Sequence, residues 1–191
     1  MKVKHIALMY LALIIILSIA GNIFSFPETF LSKKTSFLNV IFAKYAFAWS
    51  FIPLLPFHII QKRLKLWILA SLYWFILTQS TIFGPSIFHR IYSIFGSCLN
   101  KSLSYNECML SSTWNGFDIS GHTFLLIHSS LILYYQFKIN RNFYVGLFCL
   151  LLVAIWSFVL AVTCLYYHHL GEKISGAVVA LLFWVIQDAG E

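Results

Sequence analysis

A chain of 191 residues with 60% hydrophobic side chains, only 10% charged ones, a mean hydropathy of +0.83 and a net charge of +7 lacks the polar surface of a soluble domain, where about a quarter of residues are charged. The bilayer is therefore its solvent, and its apolar stretches count as membrane spans. The basic residues fall in short clusters between apolar runs, where they set orientation, so nucleic acid is excluded as the partner that a net charge of +7 would otherwise imply.

Allowing ~20 apolar residues per crossing, the sequence predicts six spans, at about 5–25, 38–60, 66–84, 120–137, 143–167 and 174–189. They form an all-α membrane protein, a six-transmembrane-helix bundle in a single integral membrane domain. The first run, MKVKHIALMYLALIIILSIAGN, has two readings. Lys2 and Lys4 before an apolar core, with Ser18 and Ala20 after it, resemble a secretory signal. The core exceeds the ~7–15 residues of most signals, which favours retention as a span. Lys44, inside the second span, is expected to snorkel or to mark its outer end.

The longest connection, about 85–118, carries Gly84, Pro85, Gly96, Asn100, Asn106 and Gly116 at or within its bounds. It also holds Cys98 and Cys108, for which a disulfide is open: an oxidising compartment would permit it, but spacing alone does not bring two sulfurs together. Cys149 and Cys164 lie in one apolar run, and no CxxC or His/Cys spacing appears, so no metal or haem site is expected.

Orientation follows from Lys and Arg in the short connections. Lys2, Lys4, QKRLK at 61–65 and KINRN at 138–142 give seven basic residues on one side, against Lys33, Lys34, Arg90, Lys101 and Lys173 on the other. Both termini are then cytosolic, and 26–37, 85–118 and 168–173 face the lumen or exterior. Two histidine stretches thereby reach one surface. In FDISGH at 117–122, Asp118 or Ser120 caps a helix start and Gly121 allows close backbone approach. A phosphate would suit that N-terminus, with His122 beside it as a proton donor or acceptor. In YYHHLGEK at 166–173, His168 and Glu172 are four apart, so the carboxylate can hold one imidazole nitrogen and leave the other as nucleophile or base. His169 is a reserve for His168. Lys173 adjoins the cluster and offers positive charge, as Arg90 and Lys101 do from farther away. His128, six residues beyond His122, is expected to pack among helices and bond a carbonyl. Set against this is a plain reading in which the histidines are interfacial anchors and Asp118 and Ser120 only caps.

The stretches FDISGHTFLL at 117–126 and YYHHLGEKISG at 166–176, with their order and the six-span layout, resemble the fat storage-inducing transmembrane (FIT) family of the endoplasmic reticulum. The resemblance implies kinship with lipid phosphate phosphatases, whose motifs end in Ser-Gly-His and read His-x-x-x-Asp. It makes His122 the general acid, His168 the nucleophile and Glu172 its orienting partner. It implies an acyl-CoA diphosphatase with fatty acyl-CoA as substrate, yielding an acyl phosphopantetheine and an adenosine bisphosphate at the lumenal face. No paired carboxylates of metal-ligand spacing appear, so no metal or cofactor is expected. Binding of di- and triacylglycerol, contact with membrane lipids and support of lipid-droplet formation come with the family. The chain departs from the wider phosphatase pattern: no Arg-Pro occurs, and Ala161-Val162 stand where a Ser-Arg pair belongs. The phosphate-anchoring groups are thus unassigned, with Asp118, Ser120, Gly121 and Lys173 as candidates. The chain is short for the family beyond its sixth span, as if a cytosolic tail were truncated. The rival reading is a non-catalytic di- or triacylglycerol-binding protein that shapes lipid-droplet budding. A transporter would instead need broken helices at mid-membrane depth.

Overall fold

In the computed structural model, residues 3–24, 26–27, 29–33, 35–60, 64–80, 84–99, 103–104, 107–108, 111, 113–139 and 142–189 are described. Lys2, Lys34, Lys62, Arg63, Lys101 and Arg141, used above for orientation, and loop residues Asn100 and Asn106 lie outside the described residues. The unbroken apolar run at the start forms helix α1, Val3–Ile23. A single 3-10 turn, Phe30–Ser32, follows, where the Thr29 N–H donates to Ser32 Oγ at 3.0 Å and the Ser32 hydroxyl to the Thr29 carbonyl at 2.8 Å.

The expected second span at 38–60 is not one continuous helix. It begins as a π-helical segment, Leu38–Ala43, in which the Lys44 N–H donates to the Asn39 carbonyl. It continues as α2, Ala46–Phe51, tightens to a 3-10 turn at Ile52–Leu54 and ends as α3, Leu55–Ile60. Pro53 and Pro56 explain the breaks after Phe51, since each lacks an N–H and crowds the preceding turn. The third segment forms α4, Leu64–Thr78, whose 15 residues rise only ~22 Å. The outer connection is folded, with α5, Ile87–Ile94, started by the Ser86 side chain accepting from the His89 N–H. It is followed by a two-stranded antiparallel ribbon of β1, Gly96–Cys98, and β2, Trp114–Gly116, with Ser97 opposite Asn115. Cys98 and Cys108 are joined as a disulfide, their Cα atoms 5.9 Å apart.

Three long helices complete the chain: α6, Gly121–Ile139; α7, Phe143–Tyr166; and α8, Leu170–Ala189. By length and composition, α1, α7 and α8 are the three described helices able to cross a membrane. Helix α6 is long enough, yet more polar, because it is the central helix. It packs against α2, α7 and α8 and buries His128, Ser129, Ser130 and Gln136 among protein rather than lipid. Of these, His128 shows how a polar side chain persists in a bundle interior, because neighbouring helices supply its partners. His128 bonds the Ala70 carbonyl through Nε2 at 3.1 Å and accepts from Trp184 Nε1 at 3.0 Å, linking α4, α6 and α8. Large apolar side chains including Leu8, Ile16, Phe75, Leu151 and Ile186 are exposed on the outer surface, the face a bilayer covers. Two glycines allow close helix contact near the outer end: a β-carbon at Gly21 would meet the Leu165 carbonyl oxygen at 2.5 Å, and one at Gly176 would meet that of Ser120 at 2.5 Å.

Candidate active site

The corner between α7 and α8 is a sharp reversal. Tyr167 is extended, His168 adopts the left-handed conformation with φ of +59°, and α8 starts at Leu170. A non-glycine residue held there costs on the order of 1–3 kcal/mol and persists only where its surroundings impose it. Glu172 supplies the constraint. From the third position of α8 its Oε2 reaches back to accept the His169 N–H at 3.0 Å, a capping interaction that satisfies an otherwise orphaned donor. The same oxygen lies 3.3 Å from His168 Nδ1. Its other oxygen, Oε1, accepts the Asp118 N–H at 3.0 Å, and the Glu172 carbonyl accepts the Ser120 N–H at 3.0 Å. One carboxylate thus fastens the start of α6 to the His168 corner and brings the two histidine stretches to one end of the bundle. With Nδ1 donating to this carboxylate, the lone pair of His168 is on Nε2, and the side chain, 23% exposed, is part-buried.

The Ser120 hydroxyl accepts the Thr123 N–H at 3.3 Å and pairs with the Thr123 hydroxyl at 2.9 Å, so Ser120 is the α6 N-cap and is fully buried. The open choice between Asp118 and Ser120 as cap resolves to Ser120. A β-carbon at Gly121 would have no neighbour within 4 Å, so the backbone is open to an approaching group. His122 follows, its Nε2 2.9 Å from Asn39 Oδ1 in the π-helical segment. An amide oxygen only accepts, so Nε2 carries the hydrogen in this contact.

Two cavities lie at this end. The first, about 540 Å³, is lined by Asn22, Trp114, Asn115, Asp118, His168, His169, Glu172 and Lys173, among others. The second, about 410 Å³, is lined by Lys44, Trp74, Phe88, His89, Asp118, Gly121 and His122, among others. Tyr92 and Asp118 belong to both walls. His122 and His168 therefore face neighbouring cavities that meet at a shared partition, rather than one undivided pocket. Of the sequence candidates, Asp118, His168, Glu172 and Lys173 share the first cavity, and Asp118, Gly121 and His122 share the second. Ser120 lines neither. The Lys173 ammonium donates to the Cys164 carbonyl at 2.8 Å and the residue is buried, so it closes the C-terminal end of α7, where a cation is favoured.

Asn39, Tyr92 and His89 were not singled out from sequence. The signal for Asn39 was its position, a lone amide inside the apolar run FLNVIF, since a polar side chain within a span marks a site by default. Tyr92 and His89 lie in the outer loop with no local pattern to distinguish them.

A family model described as fat storage-inducing transmembrane protein matches residues 27–147 and 138–187 of this chain. Among curated proteins, the acyl-coenzyme A diphosphatase FITM2 of Sus scrofa is 31% identical over 193 residues, covering 83% of this chain and 71% of the relative. The Homo sapiens protein of the same name gives the same identity and coverage. That of Drosophila melanogaster is 24% identical over 242 residues, covering 92% of this chain and 55% of the relative. No solved structure matches.

Proposed function

The chain belongs to the fat storage-inducing transmembrane family, and from that premise we propose that it is an acyl-CoA diphosphatase of the endoplasmic reticulum membrane. It hydrolyses the diphosphate of fatty acyl-CoA to an acyl phosphopantetheine and an adenosine bisphosphate. The observation that supports this reading best is the Glu172 carboxylate, bonded both to His168 Nδ1 and to the backbone that leads into His122.

His168 Nε2 attacks a phosphorus of the anhydride, the bridging P–O bond breaks, and His122 gives its proton to the departing phosphate oxygen. Water then attacks the phosphorylated imidazole and loses a proton to His122, and the second product leaves with His168 regenerated. Glu172 keeps the His168 ring in the reactive tautomer and stabilises its positive charge. Phosphoryl transfer depends mainly on positioning and charge neutralisation. Lys44, lining the His122 cavity, supplies a cation in place of the missing arginine motifs. Asp118 and Gly121 form the approach to the phosphates. Six apolar segments cross the bilayer with both termini cytosolic and the site facing the lumen, the side on which the Cys98–Cys108 disulfide is favoured.

The test uses purified protein in liposomes with a long-chain acyl-CoA. His122→Ala and His168→Ala each abolish cleavage while the chain keeps its elution volume and helical circular dichroism. Full activity in either variant rejects the assignment.

A second role is favoured by an apolar cavity of about 330 Å³ between α1, α6 and α7, lined by Ile6, Met9, Leu13, Leu131 and Val153 with the hydroxyls of Tyr10 and Ser130. It suits acyl chains of di- or triacylglycerol, through which the protein supports lipid-droplet formation. Neutral-lipid binding retained in the histidine variants assigns both roles to one protein. Binding lost with them, and no turnover in the parent, assigns lipid binding alone.

A further inference from the structure

We propose that the two cavities divide the substrate, the His122 cavity taking the acyl-pantetheine phosphate and the His168 cavity the nucleotide, so that His168 attacks the phosphorus on the adenosine side. The assignment rests on the diphosphatase reading and adds to it which of the two phosphorus atoms reacts.

In an in-line displacement the attacked phosphorus lies beside the nucleophile and the leaving oxygen beside the acid. His168 lines one cavity and His122 the other, and they share Asp118 and Tyr92. The anhydride therefore spans that partition, with one half of the substrate on each side. What each cavity is made of decides which half goes where.

The His122 cavity is walled by Trp74 of α4, Phe88 of α5 and Ile119 and Leu125 at the start of α6. Beside it, α4 exposes Leu72, Phe75 and Ile76 to the bilayer. A fatty acyl chain loses favourable burial with every methylene drawn out of hydrocarbon, so the half that carries it belongs on this apolar side. Lys44, whose aliphatic stem can lie along apolar surface while its ammonium reaches the cavity, meets the departing phosphate. The His168 cavity is walled by Asn22, Asn115, Gly116 and His169, from helix ends and the β-ribbon. These groups offer hydrogen bonds to a sugar and phosphates, and Trp114 brings to the same wall an indole of the kind on which a purine stacks. Volumes of about 540 and 410 Å³ are each within the usual range of ligand sites.

The steps then balance as follows. His168 Nε2 bonds to the adenosine-side phosphorus, the bond from that phosphorus to the bridging oxygen breaks, and the acyl phosphopantetheine leaves with the His122 proton. Water next bonds to the same phosphorus, the N–P bond breaks, and the water oxygen stays in the 5′-phosphate of the adenosine bisphosphate.

The experiment is turnover of palmitoyl-CoA by the full chain in liposomes in ¹⁸O-water, with mass spectrometry of both products. The expected result is one ¹⁸O in the adenosine bisphosphate and none in the acyl phosphopantetheine. An alkaline quench during turnover should trap the adenosine bisphosphate, in phosphoramidate linkage, on the peptide containing His168. Label in the acyl phosphopantetheine, or a pantetheine phosphate adduct on that peptide, overturns the division of the substrate and leaves the diphosphatase reading standing. Absence of any cleavage overturns both.

Discussion

Glu172 makes three side-chain contacts and all three partners approach as donors: the N–H groups of Asp118 and His169, and His168 Nδ1. A carboxylate accepts them all, whereas an amide has one accepting oxygen and must turn its own NH₂ toward one of these donors. Glu172→Gln is therefore expected to lower kcat by on the order of 10⁴-fold, as loss of an orienting carboxylate does elsewhere, while costing only about 1 kcal/mol of stability through the weakened cap. Steady-state kinetics beside thermal unfolding checks the split; loss of activity only in proportion to unfolding refutes it. Asn39 stands to His122 as Glu172 stands to His168. Asn39→Leu is expected to lower kcat about 10²-fold with KM little changed, because a misplaced acid loses alignment rather than binding. Asn39→Asp, which keeps an accepting oxygen, restores most of it, and equal failure of both variants argues against a positioning role. The His168–Glu172 pair was legible from its spacing of four, although it is the left-handed corner at His168, before α8 begins, and not a helical turn that brings the two side chains together. Asn39 was not, because 83 residues separate it from His122 and only the packing of the π-helical segment against α6 and α7 unites them.

The contact of α8 with the start of α6 depends on an absent side chain. A β-carbon at 176 would sit 2.5 Å from a backbone carbonyl oxygen, of Ser120, and a backbone atom cannot turn aside as a flexible side chain can. Gly176→Ala is expected to push the helices apart, costing about 1–3 kcal/mol as overpacking does and disturbing the Ser120 N–H bond to the Glu172 carbonyl. Unfolding and turnover should fall together. Gly121→Ala is the contrast. With no neighbour within 4 Å, the methyl group leaves stability level or slightly raised, since alanine suits a helix better than glycine. It narrows the approach to the phosphates, so KM rises while the melting temperature holds; an unchanged KM would remove Gly121 from the substrate path. Apolar runs in the sequence located the long helices α1, α7 and α8 well. They said less about 38–60, where Pro53 and Pro56 divide a stretch that is mostly apolar. Hydropathy measures lipid solubility and does not register backbone donors that proline removes.

For the whole molecule, the orientation argument rested on seven basic residues against five, and several of them lie outside the described residues. The fold supplies an independent indicator in the Cys98–Cys108 bridge, which persists in oxidising compartments and is rare in the cytosol. The bridge starts at β1, whose partner strand β2 contributes Trp114, Asn115 and Gly116 to the wall of the His168 cavity. On the proposed topology, the compartment that sustains the disulfide is the one into which that cavity opens. Closing a loop of sequence separation 10 stabilises by about 2–3 kcal/mol, concentrated in the outer connection. Cys98→Ser with Cys108→Ser is accordingly expected to lower the melting temperature by several degrees and to weaken turnover more than global stability, because the ribbon walls the site. In intact microsomes treated with a permeant reductant, a membrane-impermeant maleimide should leave Cys98 and Cys108 unmodified until the membrane is opened, while a cysteine placed before Val3 is modified at once. Cys149 and Cys164 are buried and serve as the internal control. Modification of the loop cysteines in sealed vesicles would put the His168 cavity on the cytosolic face and reverse the assigned topology.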